Sequence, residues 1–507
     1  MLNKKSVIWV LLAIVVLGAF LRFYKLGEVS FVADEFLDVN ASYGYFQTGT
    51  WHAWDFNLGQ LSERVNDASD QRAWIYRAQV ASLFHFFAPT EATARAVSAG
   101  WGVLSILLLY GVATDLTKKR MIGLLSATLF AVSVSAIEMD RHLRMYAMFS
   151  PVFLGLSWAL FRLLEGRYAG KAVLVQKIQE KTGLQIIYVL PVLLLTWLSF
   201  QLHQLTANIA LVTLAYIAIL GGLNWQKNKW NRYVIYFLLA VASFVLVYVA
   251  VPGKVALALG TLVFFENHWS YLAIIFQDYS NPILAMLFLL VGVVYLVKQE
   301  KLTREAVWLS MAFFVPLLAA IFLWRRVVGA QYIFFIQSFA MMLIASGIYG
   351  VAAFLQKNMP RYGKRMFWLA IAVSLLVLPN YAYFFQENNT YQQTSRSENP
   401  NYRSVFTYFK KHRKTTDVLV TRDFRNYYWS GQKVRTFDFG GELSIEKFNL
   451  ADLQKIMAEN PSGWLIFSDN DKDYLSQDVQ DYVEAGNLVK INVIAVRGGI
   501  SVYRWGN

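Results

Sequence analysis

Long apolar segments recur along this chain from its N-terminus to about residue 385, and they constrain its fold more than any other feature. A helix needs roughly 20 apolar residues to cross the hydrocarbon core of a membrane. Eleven segments approach or reach that length, of which the third, fifth and eighth are short: residues 6–23, 92–113, 122–137, 145–164, 186–202, 205–223, 234–251, 282–297, 306–323, 332–355 and 366–385. The sequence therefore predicts an all-α polytopic membrane domain of about eleven transmembrane helices over residues 1–385.

The composition supports lipid as the solvent of this chain. Hydrophobic residues make up 56% of it and charged residues only 16%, whereas soluble domains carry about 25% charged residues. A net charge of +14 would suggest a nucleic-acid partner for a soluble protein. Here most basic residues lie in short loops between apolar segments, so we predict contact with membrane lipids and no nucleic-acid partner. The sequence contains no Cys, which excludes disulfides and thiolate chemistry.

The distribution of Lys and Arg among the short loops predicts the orientation of the chain. Cytoplasmic loops are enriched in these residues, and every second segment between helices is strongly basic, beginning with Lys4 and Lys5. The first apolar segment can span a membrane, and Arg22, Tyr24 and Lys25 do not resemble a cleavage site, so we predict a retained helix rather than a signal peptide. The basic loops place the N-terminus in the cytoplasm, and the odd number of helices then places the C-terminus outside. We predict that the protein lies in the plasma membrane.

Three regions are predicted to lie outside the hydrocarbon core. Two are long outer loops, at residues 25–91 and 252–281. The third is the tail at residues 386–507, where helical patterns alternate with short β-like runs. Such alternation is typical of an α/β domain. We therefore predict a small soluble α/β domain at 386–507 on the extracytoplasmic side.

Two adjacent carboxylates, Asp34 and Glu35, follow the first predicted helix in an outer loop. An acid pair beside a membrane helix can act as a general base or bind a metal ion. A solvated acid pair in an ordinary loop is the alternative, and position alone favours that alternative.

The short outer loop between the third and fourth predicted helices, residues 138–146, is crowded with polar groups. Polar side chains at membrane depth are costly and tend to be functional. Glu138 and Asp140 are candidate ligands, together with Asp34, for a divalent cation such as Mg²⁺ or Mn²⁺, because hard cations bind carboxylate oxygens. The alternative is an interfacial turn held by salt bridges.

Several further residues at the outer ends of the predicted helices could bind an anionic ligand such as a lipid phosphate. They are Arg141, Arg144, Tyr146, His203, Arg325 and Arg326. The planar guanidinium of arginine suits a phosphate, and an anionic ligand would explain two arginines on the outer side. The alternatives are Tyr146 as an aromatic anchor, a structural His203, and arginines that extend to the interface.

Several catalytic signatures are absent from the sequence. It contains no Gly-rich phosphate loop ending in Gly-Lys-Ser/Thr, no His-Glu-x-x-His and no Gly-x-Ser-x-Gly. No obvious matched pair of broken helices is predicted, which weakens the interpretation as a secondary transporter.

Three short motifs occur in an order shared with a known family. Leu21-Arg22-Phe23 ends the first helix before Asp34-Glu35, Pro89 followed by Ala94-Arg95-Ala96 marks the entry of the second helix, and Arg144-Met145-Tyr146 begins the fourth. Over residues 1–385 the chain resembles the GT-C superfamily of integral-membrane glycosyltransferases. It is most similar to the branch of protein O-mannosyltransferases and lipid A aminoarabinose transferases. His142 departs from the pattern, since many relatives carry Glu there, and Glu138-x-Asp140 resembles a metal-binding pair of oligosaccharyltransferase relatives.

The resemblance implies a polyprenyl-phosphate-linked sugar donor and a glycan, lipid or protein acceptor on the outer face. It also implies an inverting transfer with Asp34 as the general base and Glu35 assisting. Two other classes of function fit the same sequence. A transporter or flippase of a lipid-linked glycan would move its ligand without a covalent product, and a non-catalytic surface assembly protein would depend on its tail.

Overall fold

Every one of the eleven predicted segments is wholly or mostly helical in the computed structural model of this protein, although the third is divided between two helices. The structure describes residues 3–32, 34–62, 72–253, 260, 266–325, 327–359, 361–387, 389–392, 400–422, 433–439, 447–491 and 499–506. The chain divides into two compact units, each discontinuous in sequence. Unit 1 contains Met1–Arg22, Ser98–Asp140 and Met145–Tyr383, and unit 2 contains Phe23–Val97, Arg141–Arg144 and Phe384–Asn507.

The helices form because an apolar segment in lipid must satisfy its own backbone hydrogen bonds. In chain order they are α1 (Lys4–Phe23), α2 (Glu35–Thr48), α3 (Trp74–Phe84), α4 (Glu91–Thr117), α5 (Arg120–Val132), α6 (Val134–Asp140), α7 (Tyr146–Glu165), α8 (Val173–Thr182), α9 (Val189–Leu202), α10 (Asn208–Leu223), α11 (Arg232–Ala250), α12 (Ser270–Phe276), α13 (Pro282–Lys298), α14 (Thr303–Phe322), α15 (Ala330–Ile333), α16 (Gln337–Asn358), α17 (Gly363–Val377), α18 (Tyr402–His412), α19 (Leu450–Glu459) and α20 (Gln477–Glu484).

Within the described ranges, seven helices are long and apolar enough to cross a membrane, and the number rises to nine if each of two bent pairs forms one span. The bends are 63° between α5 and α6, and 99° between α8 and the segment Ile186–Leu202. Helix α13 is apolar but has only 17 residues, and α17 ends at Val377 although the predicted segment runs to residue 385. These helices confirm an integral membrane protein of the predicted class, with some spans broken or short.

Close packing of α13 against α16 depends on two glycines. A Cβ atom at Gly292 would lie 1.9 Å from the carbonyl oxygen of Leu343, and one at Gly347 would lie 1.9 Å from that of Phe288. Small residues let transmembrane helices approach this closely, and the resulting van der Waals contact stabilises their association. A larger side chain at either position would force the two helices apart.

Unit 2 combines helices with two small sheets. Strands β1 (Trp54–Asp55) and β2 (Gln60–Leu61) form an antiparallel pair. The tail builds a five-stranded mixed sheet in the order β4-β3-β5-β7-β6. Its strands are β3 (Val418–Thr421), β4 (Thr436–Asp438), β5 (Gly463–Ser468), β6 (Val489–Lys490) and β7 (Ile500–Trp505). Strand β3 is parallel to β4 and β5, and β7 is antiparallel to β5 and β6. The predicted α/β character of the tail is confirmed.

One apolar cluster joins this sheet to α19 and α20. It includes Val420 and Leu465 from the strands and Leu453 and Val479 from the helices, all fully buried. Burying a side chain of this size stabilises the fold by roughly 1.5–3 kcal/mol. The tail therefore has a hydrophobic core of its own.

Candidate active site

Asp34 and Glu35 lie at the start of α2 in opposite environments. The Asp34 side chain is 58% exposed, whereas Glu35 is only 1% exposed. Asp34 occupies the N-cap position but makes no capping hydrogen bond through its side chain. Its carboxylate therefore remains accessible to partners other than the helix.

The Glu35 carboxylate forms a buried ion pair with Arg95. Nε of Arg95 donates to Oε1 at 2.8 Å, and Nη2 donates to Oε2 at 2.6 Å. The backbone N–H groups of Val32 and Leu143 donate to the same carboxylate at 2.9 Å and 2.7 Å. A carboxylate offers about four lone-pair sites, so these donors occupy all of them. We call Glu35 and Arg95 the buried anchor.

The charge state of Glu35 follows from the same contacts. Burial would raise its pKa, because a buried site disfavours the charged form. Arg95, the nearby His142 and the N–H of Leu143 outweigh burial and hold the pKa of Glu35 below its usual value. Glu35 is thus ionised and fully hydrogen-bonded at neutral pH. This geometry does not fit the assisting catalytic role implied for Glu35 and instead fits a positioning role.

Arg144 links Asp34 to a second carboxylate, Asp38. Its Nη2 lies 3.3 Å from Oδ2 of Asp34, and its Nη1 lies 2.9 Å from Oδ2 of Asp38. Nε of the buried Arg77 donates to Oδ1 of Asp38 at 2.7 Å. We call Asp34, Asp38, Arg77 and Arg144 the Asp34 cluster. Its two carboxylates and two guanidiniums carry no net formal charge. The donor-phosphate role predicted for Arg144 stays a prediction.

Seven successive backbone carbonyl groups, at residues 24–30, accept hydrogen bonds from arginine side chains. We call this segment the carbonyl strap; it connects the end of α1 with the approach to Asp34. Arg141 donates to Tyr24 and Lys25, Arg95 donates to Leu26, Val29 and Ser30, and Arg403 donates to Gly27 and Glu28. Hydrogen bonds from a charged donor are worth about twice neutral ones, so the strap is held firmly.

Arg141 has a mainly structural environment. It is buried, its Nε donates to the Thr390 hydroxyl at 3.1 Å, and its Nη2 donates to the Thr390 carbonyl at 3.0 Å. Its guanidinium lies over the ring of Tyr391, 4.4 Å from the centroid. These contacts and the strap already engage the side chain, so they favour a structural role over the predicted phosphate role.

The tail contributes directly to this part of unit 2. Besides its two strap carbonyls, Arg403 of α18 lies 3.2 Å from the carboxylate of Glu91. The neighbouring Tyr402 packs edge-on against Phe36, with ring centroids 5.5 Å apart. Phe36 follows Glu35 in α2. The tail therefore supports the helix that carries the acid pair.

The remaining predicted ligands of a metal belong to unit 1. Asp140 is buried, and Nε of Arg22 donates to its Oδ2 at 2.7 Å. Tyr383 donates its hydroxyl hydrogen to Glu138 at 2.9 Å. Nowhere in the described ranges do three or more His, Cys, Asp or Glu side chains form a group that could hold a metal ion. Asp140 neutralises a buried guanidinium, and the predicted binding of a cation by Glu138, Asp140 and Asp34 stays a prediction.

Tyr146 and His203 also belong to unit 1 and lie near each other. Their ring centroids are 5.4 Å apart, and Tyr332 packs near both rings. Nδ1 of His203 accepts a hydrogen bond from the N–H of Leu205 at 3.1 Å and caps the short 3₁₀ helix Gln204–Ala207. His203 therefore has a clear structural function, and its predicted role at a phosphate stays a prediction.

Arg325 and Arg326 complete the predicted phosphate ligands. Arg325 is exposed and follows the end of α14. Arg326 lies outside the described residues. Their role at a donor phosphate stays a prediction.

Sequence reasoning missed Asp38, Arg77 and Arg403. Asp38 follows Asp34 by four residues, which places both acids on one face at the start of a helix. That spacing was a usable signal once a helix was recognised in the first outer loop. Arg403 offered none, because its acceptors lie more than 370 residues earlier in the chain.

No known protein-family model matches this chain, and no curated protein matches it significantly in sequence. Solved structures do resemble it. The apo structure of ArnT from Cupriavidus metallidurans superposes with a TM-score of 0.57 at 12% identity, and the match covers 99% of this chain and 98% of ArnT. The structure of ArnT bound to undecaprenyl phosphate matches over the same shares with a TM-score of 0.53 at 11% identity.

The archaeal oligosaccharyltransferase AglB from Archaeoglobus fulgidus is also similar. Its complex with an inhibitory peptide and a dolichol-phosphate superposes with a TM-score of 0.58 at 11% identity, covering 91% of this chain and 69% of AglB. At such identities the likeness shows the fold. It confirms the predicted architecture of a polytopic helical domain followed by a small α/β domain.

Proposed function

We propose that this protein is a membrane glycosyltransferase that moves a sugar from a polyprenyl-phosphate carrier to an acceptor hydroxyl on the outer face, with Asp34 as the general base. The observation that carries the proposal is the exposed Asp34 carboxylate beside the buried anchor. The shared fold supports the donor class, since ArnT and AglB have been captured with undecaprenyl phosphate and dolichol-phosphate respectively.

The geometry separates a reactive group from its support. Arg144 contacts Oδ2 of Asp34, and we assign the other oxygen, Oδ1, to accept the proton. Glu35, one residue further on, fixes the start of α2 through Arg95 and two backbone amides. Asp34 on a fixed helix start needs little rearrangement to reach the acceptor hydroxyl. Such positioning lowers the activation free energy of the reaction.

The proposed reaction is a single inverting displacement. Asp34 removes the proton of the acceptor hydroxyl as that oxygen attacks the anomeric carbon of the sugar. The bond between the anomeric carbon and the phosphate oxygen breaks, and the polyprenyl phosphate leaves with the electron pair. The products are the glycosylated acceptor, which is a glycan, a lipid or a protein, and the free carrier phosphate.

Two parts of the proposal rest on the sequence pattern. We assign Arg325, exposed at the end of α14, and Arg326 to the carrier phosphate, whose leaving charge they would stabilise. The alternation of basic loops supports a cytoplasmic N-terminus and an extracytoplasmic tail in the plasma membrane.

The test is turnover of purified protein in nanodiscs that contain polyprenyl-phosphate sugars and candidate acceptors. Release of carrier phosphate and formation of glycosylated product are measured for the native chain, Asp34→Asn and Glu28→Gln. Glu28 is a matched control, because it is an exposed acid in the same loop. Asp34→Asn should lose at least about 100-fold in rate, and Glu28→Gln should keep its rate.

Two results would contradict the proposal. Full activity of Asp34→Asn would remove Asp34 as the base. Movement of the labelled donor across a bilayer without any covalent product would favour a flippase.

A further inference from the structure

A groove of about 1050 Å³ lies where α17 begins. Nine residues line it: Arg361, Tyr362, Gly363, Lys364, Arg365, Met366, Trp368, Leu369 and Ala372. Three of them are cations within a stretch of five positions. None of the described residues that line the groove is acidic, so its local charge is strongly positive.

Several basic residues elsewhere in unit 1 pair with acids. Lys118 lies 3.2 Å from Asp115. Arg232 and Arg304 both contact the buried carboxylate of Glu165, at 2.5 Å and 2.9 Å. The groove differs from these sites because its positive charge is not balanced by any of the residues that line it.

The groove continues into an exposed apolar face of α17. Residues three and four positions apart share a face of a helix, and Arg365, Trp368, Leu369, Ala372 and Leu376 follow this spacing. Leu369 is 52% exposed and Leu376 is 72% exposed. A cationic end thus leads directly onto an apolar surface one helix long.

We infer that this groove binds an anionic phospholipid. The phosphate of the head group pairs with Arg361, Lys364 and Arg365, and an acyl chain lies along the face through Leu369 and Leu376. Trp368, between the two regions, is the residue type that favours the level of lipid head groups. A soluble phosphate would use the cations but would leave the apolar face uncovered. This inference is independent of sugar transfer and stands whether or not Asp34 is a catalytic base.

The experiment is native mass spectrometry of the full-length protein titrated with dioleoyl phosphatidylglycerol or dioleoyl phosphatidylcholine. The test variant is Arg361→Gln/Lys364→Gln/Arg365→Gln. The matched control, Lys171→Gln/Lys177→Gln/Lys181→Gln, removes the same charge from three exposed lysines in or beside α8. Because cations near the membrane surface attract anionic lipid, the test variant should bind phosphatidylglycerol at least about tenfold more weakly. The control should bind as the native chain does.

Three outcomes would overturn the inference. Equal retention of the two lipids by the native chain would exclude charge recognition. An equal loss of phosphatidylglycerol binding in the control variant would show that the overall charge of the protein, and not this groove, determines the affinity. Displacement of the lipid by millimolar inorganic phosphate or glycerol 3-phosphate would show that the apolar face contributes nothing.

Discussion

The buried anchor and the Asp34 cluster are adjacent in sequence but differ in almost every physical respect. Glu35 has a full set of hydrogen-bond donors and no contact with solvent. Asp34 is mostly exposed and has one long contact with Arg144. The comparison separates two roles for neighbouring carboxylates. A saturated carboxylate can hold backbone in place, whereas only an accessible one can exchange a proton with a substrate.

The largest expected effect comes from removing the exposed carboxylate. Asp34→Asn should lower turnover at least about 100-fold while the midpoint of thermal unfolding stays that of the native chain, because surface substitutions change stability by only about 0.5 kcal/mol. Turnover and the unfolding midpoint are measured on the same preparation. A large fall in the unfolding midpoint would show that Asp34, like the buried anchor, has a structural role.

Glu35→Gln should show the opposite pattern. Removing one partner of a buried ion pair costs about 3–5 kcal/mol, since Arg95 keeps its charge in a buried site. We expect a clear fall in the unfolding midpoint, with turnover falling only as far as the folded fraction does. Lowering the temperature until the variant is folded should restore turnover to that of the native chain at the same temperature. An inactive but fully stable Glu35→Gln protein would assign Glu35 to the chemistry.

The pH dependence of stability sharpens the same distinction. Because the pKa of Glu35 is lowered in the folded protein, its ion pair stabilises the fold above the unfolded-state pKa, and this stabilisation is lost as the pH falls through the folded-state pKa. The unfolding midpoint of the native chain should therefore drop on acidification. Glu35→Gln should lack that part of the drop, and Glu28→Gln should retain it.

A smaller effect is expected at the tail. Arg403→Gln removes a charged donor from two carbonyls of the carbonyl strap and a contact with Glu91, at a cost of about 1–2 kcal/mol. The matched control is Asn449→Ala, which removes the N-cap of α19 at a cost of about 1 kcal/mol. Arg403→Gln should lower turnover several-fold, whereas Asn449→Ala should only make the tail more susceptible to proteolysis. Equal turnover in the two variants would show that the strap does not position Asp34.

The sequence predicted the helices far better than their interruptions. Apolar length marks a helix whatever surrounds it, so every predicted segment is wholly or mostly helical. Helix α17 ends just before Leu378-Pro379, because the residue before a proline is disfavoured in a helix. At the bend after Val132, the Ser133 hydroxyl and the Ser135 N–H donate to Asp278, more than 140 residues away. Strand β4 was missed for a similar reason, since its three residues form a strand only by pairing with β3.

The residues of the candidate site were also predicted only in part. The acid pair was visible because two carboxylates after an apolar helix are unusual, but the residues alone did not separate the role of Asp34 from that of Glu35. That separation depends on Arg95, 60 residues away. The phosphate role predicted for Arg141 and Arg144 came from residue type and from their place in an outer loop, and it stays a prediction beside the positioning contacts that they make.

The carbonyl strap and one of its arginine donors are synthesised at very different times. Ribosomes release a chain from its N-terminus, so residues 24–30 are made long before Arg403, which donates to two of their carbonyls across 376 and 375 positions. A chain that stops before the tail can insert its apolar helices, yet it leaves those acceptors without this donor. The segment leading to Asp34 therefore gains these two hydrogen bonds only while the last quarter of the protein is being synthesised.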